Sequence, residues 1–227
     1  MPGLAFLSRF FLSIERVTAR FYFIHQCLCR AFNYCVERLF DWYFGIETRK
    51  LESLQEEESR NLPGSNCYTP TPWFGLIKLL SLLPKQPTAA FLDLGCGKGR
   101  ALLVAGRFSF KRITGVELSS ALCEIAKKNI SVVKAKCPIE VLNQNAVQYQ
   151  IPHDVGVCLL FNPFNLDITL QVAKNISLSL KSHPRDFYLI YVYPEYVYTL
   201  QSVLTLAEPV AVPQAFSGFY RIFKVTG

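Results

Sequence analysis

From Leu4 to Phe44 apolar residues recur at three- and four-residue spacing without a proline or glycine, and Arg9, Arg16, Arg20, Arg30 and Arg38 interrupt them. That period predicts one or two amphipathic helices. Residues 51–67 then mix an acidic run with Pro63-Gly64, which predicts a solvated helix end followed by a turn, so a helical N-terminal extension over 1–60 gives way to a domain over 61–227. Pro72 sits near the first turn of a predicted helix whose apolar face is Trp73, Leu76, Ile77, Leu79, Leu80 and Leu83, and Pro84 stops it.

Beyond Pro84 the pattern alternates. Short apolar runs predict strands at Ala89–Leu94, Ile113–Val116, Ile139–Leu142, Val155–Phe161, Phe187–Tyr193, Ala207–Val212 and Phe219–Val225. Helical periods fill 99–107, 119–130, 168–182 and 195–204. Strands separated by helices predict an α/β fold: a doubly wound, mostly parallel seven-stranded sheet with helices on both faces.

The composition, 51% hydrophobic and 18% charged over 227 residues, supports a sizeable core and excludes a disordered chain. The net charge of +7 permits an anionic partner without requiring one, and residues 61–150 carry most of it, with 11 basic and 4 acidic groups. Arg100, Arg107, Lys111, Arg112, Lys127, Lys128, Lys134 and Lys136 fall on outer helices and turns, where a solvated face is expected. Eight cysteines without regular spacing, and without a cleavable-looking leader, point to reduced thiols and a cytoplasmic protein. His25, Cys27 and Cys29 stand two residues apart and cannot converge on one ion from a helix, so no metal is expected.

Twelve of the 31 aromatic residues lie in the first 44, yet no charge-free stretch there reaches the ~18 residues of a membrane span. Two readings of residues 1–50 follow: a helical cap on the next domain, or a segment in peripheral contact with a membrane surface.

The candidate chemistry lies at the carboxyl ends of the predicted strands, where open α/β sheets bind ligands. Asp93-Leu94-Gly95-Cys96-Gly97-Lys98-Gly99 is a strand end and a glycine-rich turn, in which the chain turns sharply and brings its amides close to a ligand. Glu117, 24 residues after Asp93 and followed by Leu118, ends the next strand, where an acid accepts hydrogen bonds from a ribose diol. Asn145 and Ala146 follow the third strand, with the Asn145 side-chain oxygen a candidate acceptor for an adenine amine. Asn162, Pro163 and Phe164 follow the fourth and are the candidates for the reacting centre. A dinucleotide site would also use an acid at this distance, but its third glycine or alanine is Arg100 here.

These residues resemble the class I S-adenosylmethionine-dependent methyltransferases, Asp93–Gly99 matching the D-x-G-x-G-x-G signature, and residues 93–119 are similar to bacterial members of unassigned substrate. The resemblance covers roughly Tyr68 to Gly227 and implies S-adenosyl-L-methionine as cofactor. It implies that Asp93, Gly95, Cys96, Gly97, Gly99, Glu117, Leu118, Asn145, Ala146 and Asn162 line it, with Tyr68 and Thr69 closing over its methionine end. Asn145 departs from the aspartate more usual in the family. Tyr68-Thr69-Pro70-Thr71 is also similar to the lead-in of seven-strand lysine methyltransferases, which favours an amine of a protein or small molecule as methyl acceptor. Asn162-Pro163-Phe164 lacks the second proline of the motif carried by adenine- and glutamine-amine methyltransferases. A nucleic-acid base, with Phe164 stacking on it, and cofactor binding without catalysis are the alternatives. His153 is read as an exposed turn residue away from the site.

Overall fold

The computed structural model describes residues 34–35, 37–49, 70–85, 88–162, 164–210, 212 and 219–226. Most of the expected N-terminal extension, the Tyr68-Thr69 lead-in and Pro163 lie outside the described residues. The chain divides into two units, Met1–Phe40 and Asp41–Gly227. In the first, residues 37–40 are helical and Arg38 donates to the Tyr34 hydroxyl at 2.9 Å.

The second unit holds the sheet. After helix α1 (Trp73–Leu82) come β1 (Ala90–Leu94), α2 (Arg100–Ala105), β2 (Ile113–Glu117), α3 (Ser120–Val132), β3 (Ile139–Asn143) and β4 (Val155–Phe161). They are followed by α4 (Leu166–Ser182), β5 (Phe187–Val192), α5 (Val197–Gln201), β6 (Thr205–Pro209) and β7 (Tyr220–Thr226). The order across the sheet is β3-β2-β1-β4-β5-β7-β6, with β3 to β5 parallel and β7 antiparallel to both its neighbours. All residues of β1 and β5 are buried, as near-continuous apolar runs covered by helices on both faces should be. On one face Leu92, Leu160, Leu189 and Tyr191 pack against Val172, Ala173, Ile176 and Leu180 of α4.

The order runs one way from β1 to β3 and the other from β4 to β5, so the crevice beyond the carboxyl ends of β1 and β4 is the switch point of the sheet. The glycine turn leaves β1 and Asn162 leaves β4 at that crevice.

Five expectations are corrected. Ile77 is 40% exposed, because α1 buries the narrower stripe of Trp73, Gly75, Leu76, Leu79 and Leu80. Strand β5 stops at Val192, since Tyr193 turns into the left-handed region at φ 48°. Strand β6 spans Thr205–Pro209 rather than 207–212, and the helix before it only Val197–Gln201. Arg100, expected on a solvated face, is 2% exposed because its guanidinium is enclosed by backbone and side-chain acceptors. His153 is exposed in the turn before β4, at the edge opposite the crevice, beside His183.

Candidate active site

The turn after β1 is held by its own backbone. Gly95, Gly97 and Gly99 have φ of 82°, 53° and 82°, a left-handed conformation that side chains resist. The amides of Gly95 and Cys96 both donate to the Val116 carbonyl at 2.8 and 3.1 Å, and Gly99 donates to the Cys96 carbonyl at 2.9 Å. The turn is thereby folded back against the end of β2.

Glu117 stands at the join. One carboxylate oxygen accepts from the Gly97 amide at 2.8 Å and the other from the Ser119 amide at 2.9 Å. Its carbonyl accepts from Gln144 N and Asn143 Nδ2, tying the ends of β2 and β3 together. Burial raises the Glu117 carboxyl above its ordinary value, and the amides of Ser119, Gly97 and Leu118 pull the other way. Leu118 is partly exposed beside it at 36%, while Ala146 is buried. Asn145 Oδ1 accepts from the Val147 amide at 2.9 Å, so the oxygen expected to face an adenine also closes a local turn.

Asp93 lies beneath the turn, 3% exposed, and burial, with the charge of Glu117 second, pushes its carboxyl up to about 8. Cys96 is buried, and desolvation raises its thiol well above the ordinary value, which makes it an inert wall rather than a nucleophile.

At the ends of β4 and β5 stand Asn162 and Tyr193, with φ of 36° and 48°, the two non-glycine residues at positive φ among those described. Such strained conformations cluster at functional sites. Asn162 Nδ2 donates to Glu195 Oε2 at 3.0 Å. Tyr193 stacks on Phe161 at 5.4 Å and meets Phe219 edge-on at 5.3 Å, while its ring stays 45% exposed. Phe164 is packed into the core, so its ring is not presented for stacking on a base. Glu195, Tyr193 and Phe161 were missed in the sequence; Tyr193-Pro194-Glu195 directly follows β5, and the strand-end rule applied to that strand would have found them.

Among the described residues no group of histidines, cysteines and carboxylates is placed to hold a metal ion, and Cys35, Cys96, Cys123, Cys137 and Cys158 are free thiols. No helix among them is long and apolar enough to cross a membrane.

This seven-stranded sheet, with a glycine turn and an acid at its switch point, is that of the Rossmann-like methyltransferases. Residues 91–183 match a protein family described as "Methyltransferase domain". The chain is 28% identical over 136 residues to the carboxy-S-adenosyl-L-methionine synthase of Cronobacter sakazakii, covering 57% of this chain and 51% of that protein. It is 30% identical to the Salmonella paratyphi B protein of the same name over 136 residues, with the same coverage. The chain thus spans about half the length of the curated relatives it matches. A solved S-adenosylmethionine-dependent methyltransferase from Aquifex aeolicus shares the fold, with a TM-score of 0.51 at 14% identity, over 66% of this chain and 87% of that one. The match over residues 91–183 and the shared fold make S-adenosylmethionine the cofactor to test against this site.

The site fits that group. The glycine turn leaves no side chains at its three left-handed positions, Glu117 keeps a second lone pair on each oxygen, and Asp93 is a buried carboxyl that a cationic ligand would ionise. This last point sets a pH dependence. In the fold Asp93 stays protonated up to about pH 8, whereas the unfolded chain releases that proton near 3.8, so the unfolded state binds fewer protons between the two values. Its contribution therefore lowers stability as pH rises through that window. The cofactor, cationic at its sulfonium, favours the ionised form, and its affinity should rise toward pH 8 with proton release. Urea midpoints from pH 5 to 8 should fall more steeply in the wild type than in Asp93→Asn; parallel slopes would remove Asp93 as the cause.

Proposed function

We propose that the chain transfers the methyl group of S-adenosylmethionine to an amine of a protein or small molecule, held at the carboxyl ends of β4 and β5. The observation that carries this is a carboxylate, Glu195, bonded to Asn162 and two residues beyond the part-exposed Tyr193 at the strained ends of β4 and β5. A carboxylate beside aromatic faces attracts an ammonium by charge and by the ring quadrupole.

When bound, the cofactor supplies an electrophilic methyl group on a sulfonium. Gly95, Gly97 and Gly99 would let its methionine end approach the backbone, Glu117 would receive the ribose hydroxyls, and Leu118 and Asn145 would hold the adenine. Asn162 fixes the position of Glu195, the Glu195 carboxylate takes the proton of the bound ammonium, and the freed nitrogen lone pair would then take the methyl group as S-adenosylhomocysteine leaves. Most of the rate then comes from holding the nitrogen in line with the methyl group and excluding water.

The test supplies methyl-labelled S-adenosylmethionine with a lysine-rich peptide, spermidine, a single-stranded oligonucleotide or no acceptor, and follows S-adenosylhomocysteine by mass. Release dependent on the peptide or spermidine supports the reading. Release only with the oligonucleotide refutes it, as does conversion of the cofactor itself to a carboxylated product, the reaction that the relatives' name describes. Glu195→Gln and Tyr193→Ala should each lower kcat/KM for the amine about tenfold or more while cofactor affinity stays within twofold.

A further inference from the structure

Residues 41–49 close on themselves before they touch the sheet. Asp41 is 4% exposed; its carboxylate accepts from the Thr48 amide at 2.9 Å and the Thr48 hydroxyl at 2.7 Å, and its carbonyl accepts from Ile46 N at 2.9 Å. Gly45, at φ 65°, permits that tight return. The result is a helix end, 41–44, with a short preformed return that presents Glu47 and Thr48.

Both residues then grip the glycine turn. Lys98, between Gly97 and Gly99 and only 1% exposed, donates from Nζ to Glu47 Oε1 at 2.6 Å. Arg100, directly after Gly99, donates to the Thr48 hydroxyl at 2.9 Å and the Thr48 carbonyl at 3.0 Å. Asn129 of α3 completes the clamp. Its Oδ1 accepts from Glu47 N at 2.8 Å, and its Nδ2 donates to the carbonyls of Glu47 and Lys98, each at 2.9 Å.

A turn with three left-handed glycines has little conformational preference of its own, so tethers must set its shape. Gly97 is tied to Glu117 on the crevice side, whereas Lys98 and Arg100 are tied to the 41–49 segment. We propose that the 41–49 segment is a strap that holds the glycine turn in its cofactor-binding shape, with Glu47 and Thr48 as positioning residues for S-adenosylmethionine. The proposal rests on the cofactor assignment. It makes the strap and the cofactor partners through one element, so each must strengthen the other by the same factor.

The test uses the full chain. Glu47→Gln keeps the side chain's size and removes its charge, and it should weaken S-adenosylmethionine binding about tenfold by calorimetry. In the cofactor-free variant the amides of residues 95–99 should exchange hydrogen faster than in the wild type. Wild-type affinity with unchanged exchange in that turn overturns the proposal. Should Glu47→Gln fail to fold, the wild type alone decides: saturating cofactor should slow exchange at residues 46–49 together with 95–99. Protection of the turn without the strap refutes the coupling, and a wild type that binds no S-adenosylmethionine refutes the cofactor assignment instead.

Discussion

Gly97→Val is expected to abolish cofactor binding, at least a hundredfold or about 3 kcal/mol, while leaving the fold in place. Gly97 sits at φ 53°, where a β-branched residue is a conformational outlier that costs about 1–2 kcal/mol. The turn relieves that strain by moving, and movement breaks the Gly97 amide's bond to Glu117, a charge-assisted contact of about 1.5–3 kcal/mol. Restoring the shape for the cofactor must then overcome both. The measurements are a calorimetric titration and a far-ultraviolet dichroism melt; binding within twofold of wild type, with an unchanged melt, would remove the turn from the site.

The largest stability effect belongs to Arg100→Met, expected to cost about 3–5 kcal/mol, a fifth or more of the roughly 5–15 kcal/mol that holds a domain together. Arg100 is 2% exposed and donates to the Thr48 hydroxyl, the Thr48 carbonyl and the Thr71 carbonyl, with its guanidinium 5.3 Å from the Trp73 ring centroid. Methionine keeps much of the packing volume but leaves three buried acceptors short of a donor, and each such loss costs about 1–3 kcal/mol. Urea denaturation measures it directly. A loss under 1 kcal/mol would mean that water replaces the guanidinium and that the contacts around it are not structural.

The parts of the site that were legible in the sequence are those fixed by local constraints. Gly95, Gly97 and Gly99 announce a turn because only glycine accepts positive φ freely, and Glu117 stands out because it ends the strand next in order. The seven strands were readable from their apolar runs, with β5 cut short where Tyr193 leaves the extended region and β6 displaced to Thr205–Pro209. Contacts across long sequence separations were not legible. Arg100 read as a surface cation and Lys98 only as a member of the glycine turn, because their partners Thr48 and Glu47 lie 52 and 51 residues upstream, where the sequence pattern gave no hint of a docking segment. Glu195 was hidden for a related reason: it meets Asn162 only because β5 lies beside β4, and strand order is a property of the sheet rather than of either strand.

The arrangement that results divides the work between two sides of one turn. Glu117, at the end of β2 beside the crevice, fixes Gly97. Glu47, Thr48 and Asn129 fix Lys98 and Arg100 from behind. The strained ends of β4 and β5 then place Asn162, Glu195 and Tyr193 at the neighbouring edge.

The most direct measurement is calorimetric titration of the full chain with S-adenosylmethionine and, separately, with a nicotinamide dinucleotide. Saturable one-to-one binding of S-adenosylmethionine, lost in Gly97→Val, with no heat from the dinucleotide, is the predicted result. Saturable binding of the dinucleotide and none of S-adenosylmethionine would contradict the assignment of this site.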